Sequence, residues 1–175
     1  MKIRLNQFKR NPEKYRNLFL KKGFIVIEKA LLPKYFKNIN KLILNHATRF
    51  LLKKNNTNKL DDIRFNKELI KLRKKNKRKF SIFFDKLQTS VDLYQFWTNY
   101  EVLNVVQKLL KTNITNITAT DFLLRIDSPI DKNNQLEWHQ DSSYFRQNNS
   151  GFNGINCWAP LTNLKVNMGP LEFLE

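Results

Sequence analysis

The chain has 175 residues, 41% of them hydrophobic and 13% aromatic, which is enough for one domain with a core of ordinary size. Charged residues make up 27%, and the 4 Gly and 5 Pro are few, so the composition is that of a globular, soluble chain and excludes a disordered one. The formal net charge of +17 suits a protein that binds nucleic acid, a membrane surface or an anionic substrate, but it is equally typical of a Lys-rich sequence encoded by an AT-rich genome.

Cysteine content and hydropathy predict the compartment. The single cysteine, Cys157, excludes an internal disulfide framework and is typical of a reducing cytoplasm. Residues 1–10 contain no apolar stretch of the length that a signal peptide needs. No apolar run approaches the roughly 20 residues that span a bilayer. We therefore expect a soluble, cytoplasmic protein without a membrane span.

Helix signals open the chain. Asn11 can cap a helix that has Pro12 at its first position, and Gly23 is placed to end this helix in a left-handed conformation. Residues 24–27, Phe-Ile-Val-Ile, predict a buried strand. Pro33 opens the next helix, whose apolar residues recur at helical spacing: Phe36, Ile39, Leu42 and Ile43.

The middle of the chain is dominated by charge. Residues 53–58 form a polar break, and seven of the nine residues at 71–79 are Lys or Arg. This basic run is either one face of a helix or a mobile insert. No zinc-ligand set, aromatic RNA-binding motif or recognition-helix pattern accompanies it, so we do not expect nucleic acid as the main partner. A further amphipathic helix is predicted over residues 101–110.

From residue 113 onward the pattern favours strands. Residues 118–126 are rich in β-branched and apolar side chains, and a second extended stretch leads into Trp138. Residues 155–161 predict a third strand, and a tight turn at 167–170 leads to a last strand at 171–174. Helices followed by strands indicate an α+β fold with an antiparallel sheet or sandwich.

The strongest chemical signal is Trp-His-Gln-Asp at residues 138–141. Side chains at positions i and i+2 of an extended segment project to the same face, so His139 and Asp141 could bind one metal ion together. With a second His they would form the two-His-one-carboxylate triad, which leaves three positions open on Fe(II). His46 is the other His of the chain and lies in a predicted helix, where we expect a structural role.

The segments that flank this motif resemble the phytanoyl-CoA dioxygenase (PhyH) family. The similar segments are Trp-His-Gln-Asp-Ser-Ser-Tyr-Phe at 138–145, Cys-Trp-Ala-Pro-Leu at 157–161 and Asn-Met-Gly-Pro-Leu at 167–171. Upstream, residues 23–33 resemble that family's first strand and helix. The resemblance covers about residues 15–50 and 118–175, and several motifs in the family's order make it specific.

The resemblance implies a fold. Members of the family have a double-stranded β-helix, the cupin-like jelly roll, supported by helices. For this chain we expect a single, partial domain over residues 1–175, with helical support over about 1–112 and barrel strands over about 113–175. In the family a distal His and a basic residue that binds 2-oxoglutarate follow the segment that matches 167–175. We therefore expect a barrel that is incomplete at the C-terminus, and little or no turnover.

The resemblance also implies an activity. Relatives use Fe(II), O2 and 2-oxoglutarate to hydroxylate a small organic or acyl substrate, with ascorbate as a further candidate cofactor. Carried over by position, His139 and Asp141 are metal ligands, Trp158 forms a wall beside the co-substrate, and Arg125 binds a carboxylate. The alternatives are a core aromatic for Trp158 and an ordinary surface cation for Arg125. Weaker candidates for lining the substrate cavity are Phe122, Leu124 and Tyr144.

Two other functions stay open at this point. One is a non-catalytic remnant or binding protein that keeps the fold without the full set of ligands. The other is a basic, nucleic-acid-associated protein that uses the run at residues 71–79.

Overall fold

The computed structural model describes residues 1–51, 59–119, 121–128, 137–141 and 154–174. In these ranges no helix is both long and apolar enough to cross a membrane. The elements are two short strands and seven α-helices: β1 (Lys2–Arg4), α1 (Leu5–Arg10), α2 (Pro12–Lys22), β2 (Val26–Glu28), α3 (Pro33–Phe50), α4 (Ile63–Lys75), α5 (Lys77–Gln88), α6 (Val91–Trp97) and α7 (Tyr100–Leu110). Short 3-10 turns lie at Ile114–Asn116 and Val166–Met168.

The ends of α2 confirm the signals in the sequence. The side-chain oxygen of Asn11 accepts a hydrogen bond from the backbone N–H of Lys14 at 3.2 Å, which satisfies one of the free donors of the first turn. Gly23 follows the last turn with a φ of 77°, a left-handed conformation that costs glycine little. These bounds therefore follow from local chemistry.

The two strands pair in parallel and join the start of the chain to the segment after α2. Ile3 lies opposite Ile27 in the ladder. The predicted strand at 24–27 begins two residues later than expected, and Val26 is 43% exposed, so the strand is not buried on both faces. Beside the ladder lies a small apolar cluster whose buried members are Ile3, Phe8 and Leu109.

The main core is helical and aromatic. It lies between α3, α4, α5 and α6, and its least exposed side chains include Ile39, Phe65, Phe83 and Phe96. Phe36 meets Phe96 edge to face with ring centroids 5.3 Å apart, and Phe50 lies 5.9 Å from Phe83. Such ring pairs add to the free energy that burial of their large apolar area already supplies.

The basic run lies on two helices and the residue that joins them. Asn76 ends α4 and begins α5, and its side-chain oxygen accepts from the backbone N–H of Lys79 at 3.0 Å. The apolar faces of both helices, with Leu69, Leu72 and Phe83, point into the core, so the cations of the run lie outside except Arg73, which is half-buried. The helix alternative for this run is confirmed, whereas residues 53–58 fall outside the described ranges.

The second half of the chain differs from the strand prediction. The described residues at 113–119, 121–128, 137–141 and 154–174 form no β-ladder, although 155–161 and 171–174 predict strands. A segment becomes a strand only when a neighbouring backbone pairs with it, and alternation in the sequence does not supply that neighbour. The α part of the expected fold is confirmed, while the double-stranded β-helix stays a prediction.

Candidate functional site

Residues 121–128, which precede the His-x-Asp motif, are held against the helices by a side-chain clamp. Gln88 on α5 donates from Nε2 to the carbonyl of Leu124 at 2.7 Å and accepts from the N–H of Leu124 at 2.9 Å. The amide of Gln88 therefore pairs with this backbone as a neighbouring strand would. Phe122 packs on Tyr94 with centroids 5.0 Å apart, and the Arg73 guanidinium donates to the carbonyl of Ile126 at 3.3 Å.

The clamp determines where Phe122 and Leu124 point. Leu124 is 7% exposed and belongs to the main core, and Phe122 packs against the same core. Both side chains act as core residues, which is the alternative to the cavity-lining role considered for them. Tyr144 lies outside the described residues.

His139 is oriented by the backbone two residues before it. Its Nδ1 lies 2.6 Å from the carbonyl oxygen of Glu137. A carbonyl only accepts, so Nδ1 is the donor, and in a neutral ring of this tautomer the lone pair lies on Nε2. Metal-binding histidines usually make such a hydrogen bond from the ring nitrogen that does not bind the metal.

Nε2 of His139 and Oδ1 of Asp141 converge at 3.3 Å. In the neutral ring both atoms are acceptors, so a proton or a cation between them is needed for the approach to be favourable. Neighbouring ligands of an octahedral metal with bonds of about 2.1 Å lie about 3 Å apart. The spacing of the two atoms is compatible with adjacent positions on one divalent metal ion, although residues 137–141 form a bend and a 3-10 turn and not the expected extended segment.

The other carboxylate oxygen of Asp141 has its own partner. Oδ2 accepts a hydrogen bond from Nδ2 of Asn156, a residue 15 positions further along the chain. One oxygen thus faces the histidine and the other is bound by an amide. Within the described ranges no group of three His, Cys, Asp or Glu side chains is arranged to hold a metal, so His139 and Asp141 are two candidate ligands without a third.

Asn156 lies on a segment whose other face is anchored in the protein. Ile155 packs on the small apolar cluster, and Ala159 and Leu161 pack on the main core. Asn156 and Trp158 are exposed, and Trp158 retains 47% of its accessible surface. Because alternate residues of an extended segment share a face, Trp158 lies on the side of Asn156, away from the core. The core-aromatic alternative for Trp158 does not fit this exposure.

Arg125 is part of a surface ion pair. Its Nη2 lies 3.3 Å from Oδ1 of Asp127, and the two side chains are 45% and 52% exposed. Exposed pairs of this kind are weak, so a carboxylate ligand could displace Asp127. A role for Arg125 in binding 2-oxoglutarate stays a prediction.

His46 has surroundings that disfavour a cation. It lies on α3, its Nδ1 is buried and has no hydrogen-bond partner, and burial lowers its pKa, helped by the positive charges of Arg49 and Lys86. A divalent ion would meet the same burial and the same repulsion. The expected structural role of His46 agrees with this environment.

Sequence reasoning missed two residues of the site, Gln88 and Asn156. Gln88 is 36 positions from Leu124 and carries no local signal. Asn156 did have one, because it precedes Trp158 by two residues and so shares its face.

The arrangement defines a class of protein, one with a candidate mononuclear metal centre on a His-x-Asp motif. The sequence profile of the phytanoyl-CoA dioxygenase (PhyH) family matches residues 19–175, and the chain belongs to this family. The family resemblance predicted from the motifs is thereby confirmed. Membership indicates an Fe(II)- and 2-oxoglutarate-dependent oxygenase with a cupin-like fold. Comparisons with curated proteins and with solved structures found no match.

Proposed function

We propose that this chain provides the metal-binding part of an Fe(II)- and 2-oxoglutarate-dependent dioxygenase that hydroxylates a small organic or acyl substrate. The observation that carries the proposal is the convergence of His139 Nε2 and Asp141 Oδ1 at 3.3 Å. The hydrogen bond from His139 Nδ1 to the Glu137 carbonyl supports it, because it leaves the Nε2 lone pair available to a metal.

Each residue then has a role that its chemistry suits. His139 and Asp141 hold Fe(II), which when bound with 2-oxoglutarate and O2 supplies the oxidising chemistry. Trp158, on the exposed face of its segment, provides an aromatic wall beside the co-substrate. Arg125 exchanges Asp127 for a carboxylate of the co-substrate or substrate.

The described residues contain no third ligand grouped with His139 and Asp141. His46 is held among cations, and no three-ligand group exists in the described ranges. We therefore expect the 175-residue chain to bind a divalent metal weakly and to release almost no CO2 from 2-oxoglutarate. Robust Fe(II)-dependent decarboxylation by this chain would overturn that expectation. Metal binding without turnover would also suit a non-catalytic binding protein of the same fold.

The first test of the proposal is local metal binding, measured by Mn(II)-induced broadening of tryptophan indole N–H resonances. The chain has three Trp: Trp138 precedes His139, Trp158 is near Asn156, and Trp97 on α6 is an internal reference. We expect Trp138 and Trp158 to broaden at lower Mn(II) than Trp97. The variants His139→Ala and Asp141→Ala should each need at least tenfold more Mn(II), because removing one of two ligands removes most of the affinity.

Matched controls come from the same residue types elsewhere, His46→Gln and Asp127→Asn, which should titrate like the unmodified chain. Two results would contradict the metal site. One is that the indole resonances of Asp141→Ala broaden at the same Mn(II) concentration as those of the unmodified chain. The other is that the Trp97 resonance broadens together with those of Trp138 and Trp158. The net charge of +17 helps here, since it disfavours weak binding of a dication elsewhere on the surface.

A second candidate function is association with nucleic acid, and one observation favours it. Five exposed cations lie together at the end of α4 and the start of α5: Lys74, Lys75, Lys77, Arg78 and Lys79. None of the five has a carboxylate partner among the described residues. Uncompensated cations on one surface attract a phosphate backbone without reading its sequence.

A further inference from the structure

The two oxygens of Asp141 are in different environments, and this difference decides how the carboxylate can bind a metal. Oδ1 lies 3.3 Å from His139 Nε2, on the side where a shared metal would lie. Oδ2 is bound by the side-chain amide of Asn156. A carboxylate with one oxygen engaged by a hydrogen-bond donor offers mainly the other to a metal ion.

We propose that Asn156 is a positioning residue that keeps Asp141 a one-oxygen ligand of the metal. The proposal rests on the proposed function and deepens it. A carboxylate that binds through both oxygens uses two positions of an octahedral metal, whereas one that binds through a single oxygen uses one. When a second His completes the two-His-one-carboxylate triad, the three protein ligands, a two-oxygen co-substrate and O2 fill all six positions, so Asp141 can use only one.

Asn156 is suited to this role because its backbone is fixed to the helical body. The residues around it pack inward, Ile155 on the cluster of Ile3, Phe8 and Leu109, and Ala159 on the main core. Among the described contacts, the amide of Asn156 is the one that joins this anchored segment to Asp141. The hydrogen bond therefore transmits the position of the helical body to the ligand.

The contrary interpretation is an ordinary surface hydrogen bond, since Asp141 is 53% exposed. Such a bond would affect neither metal affinity nor the binding mode of the carboxylate. A positioning residue affects both, because outer partners of metal ligands typically contribute about 10–100-fold in metal affinity.

The test uses Asn156→Leu, which keeps the size and removes the donor, and Asn156→Ser, whose hydroxyl is too short to reach. Both are titrated with Mn(II) by the indole broadening of Trp138 and Trp158 in the full chain. We expect the half-broadening concentration to rise by about 10-fold or more in both variants. The exposed Asn163→Leu is the matched control and should titrate like the unmodified chain.

A second readout reports the binding mode directly. At saturating Mn(II), the infrared difference spectrum between metal-bound and metal-free protein gives the separation of the two carboxylate stretches, which is wider for one-oxygen than for two-oxygen binding. The Asp141→Ala spectrum identifies the bands of Asp141. We expect the separation to narrow in Asn156→Leu and Asn156→Ser.

The outcomes separate the two proposals. If Asp141→Ala loses binding while both Asn156 variants keep the unmodified affinity and band separation, the positioning role is wrong and the metal site stands. If Asp141→Ala itself binds normally, the metal site is wrong. Circular dichroism shows whether Asn156→Leu folds; if it does not, the Asn156→Ser result decides the inference alone.

Discussion

At the scale of single residues, burial and hydrogen bonding determine what each of the two histidines does. The backbone carbonyl of Glu137 accepts from Nδ1 of His139, which places the lone pair of the neutral ring on Nε2. His46 is half-buried in α3 with an Nδ1 that has no partner. The imidazole ring of His139 is thus oriented by its hydrogen bond, whereas the surroundings of His46 disfavour its charged form.

His46 leads to a prediction about acid stability. Burial, followed by the charges of Arg49 and Lys86, lowers its pKa in the folded protein below the ordinary 6.5, so between the two values the unfolded chain binds more protons. Stability should therefore fall as the pH drops below about 6.5, the ordinary histidine pKa. We expect the urea midpoint to decrease between pH 7.5 and 5.5, and to decrease less in His46→Gln. An equal decrease in both proteins would contradict this assignment.

At the scale of elements, α5 organises the part of the chain that leads to the site. Its apolar face supplies Phe83 and Leu87 to the core. The side chain of its last residue, Gln88, donates to the carbonyl of Leu124 and accepts from the N–H of Leu124. The segment at 121–128 is consequently docked on a helix although it belongs to no sheet among the described residues. A side-chain amide thus supplies the pairing that a strand would otherwise provide.

The two hydrogen bonds of Gln88 should protect the Leu124 amide from hydrogen exchange. Two hydrogen bonds of about 1 kcal/mol each are lost in Gln88→Ala, so the opening equilibrium at Leu124 should rise by roughly 30-fold. Hydrogen exchange at the Leu124 amide measures this change, because Gln88 is the acceptor of that N–H. Gln95→Ala, an exposed glutamine on α6, is the control and should leave the exchange rate as it was. Unchanged exchange in Gln88→Ala would mean that packing of Leu124 alone protects the segment.

At the scale of the whole molecule, charge is the dominant property. With 32 basic and 15 acidic residues, the protein repels cations and attracts polyanions at long range. The question is whether this attraction is spread over the surface, as compositional drift implies, or concentrated on the α4–α5 junction. Among the described residues, the five exposed cations at 74–79 have no carboxylate partner. Concentration of the attraction at the α4–α5 junction can therefore be tested by changing them.

The measurement is the salt dependence of binding to a labelled single-stranded oligonucleotide. Each phosphate contact contributes about 0.7 to the slope of log K against log salt, so changing all five of Lys74, Lys75, Lys77, Arg78 and Lys79 to Gln should reduce the steepness of the slope by about 3.5. The control changes five other exposed lysines to Gln and should lower it by less than about 1: Lys34, Lys37, Lys41, Lys108 and Lys111. An equal reduction of the slope in both variants would mean that the attraction is spread over the surface, as compositional drift implies, and not concentrated at the α4–α5 junction.

The His-x-Asp pair shows how far motif reasoning reaches. His139 and Asp141 were predicted from their i, i+2 spacing, and the structure brings their ligand atoms within 3.3 Å. Arg125 and Trp158 were carried over from the family resemblance, and their roles toward a co-substrate stay predictions. Gln88 and Asn156 were not predicted. Gln88 carries no local signal, and the spacing of Asn156 from Trp158 indicates its face but not its partner Asp141, which lies 15 positions away.

The sequence by itself determined the features that depend on near neighbours along the chain. Asn11, Pro12 and Gly23 set the bounds of α2 because caps and left-handed turns involve residues three or four positions apart. The His-x-Asp motif and the family likewise follow from local order. Tertiary structure alone decided whether the apolar segments after residue 113 pair into strands, and which amide binds Asp141. Both depend on a partner distant in sequence, and its position is set by the packing of the whole core.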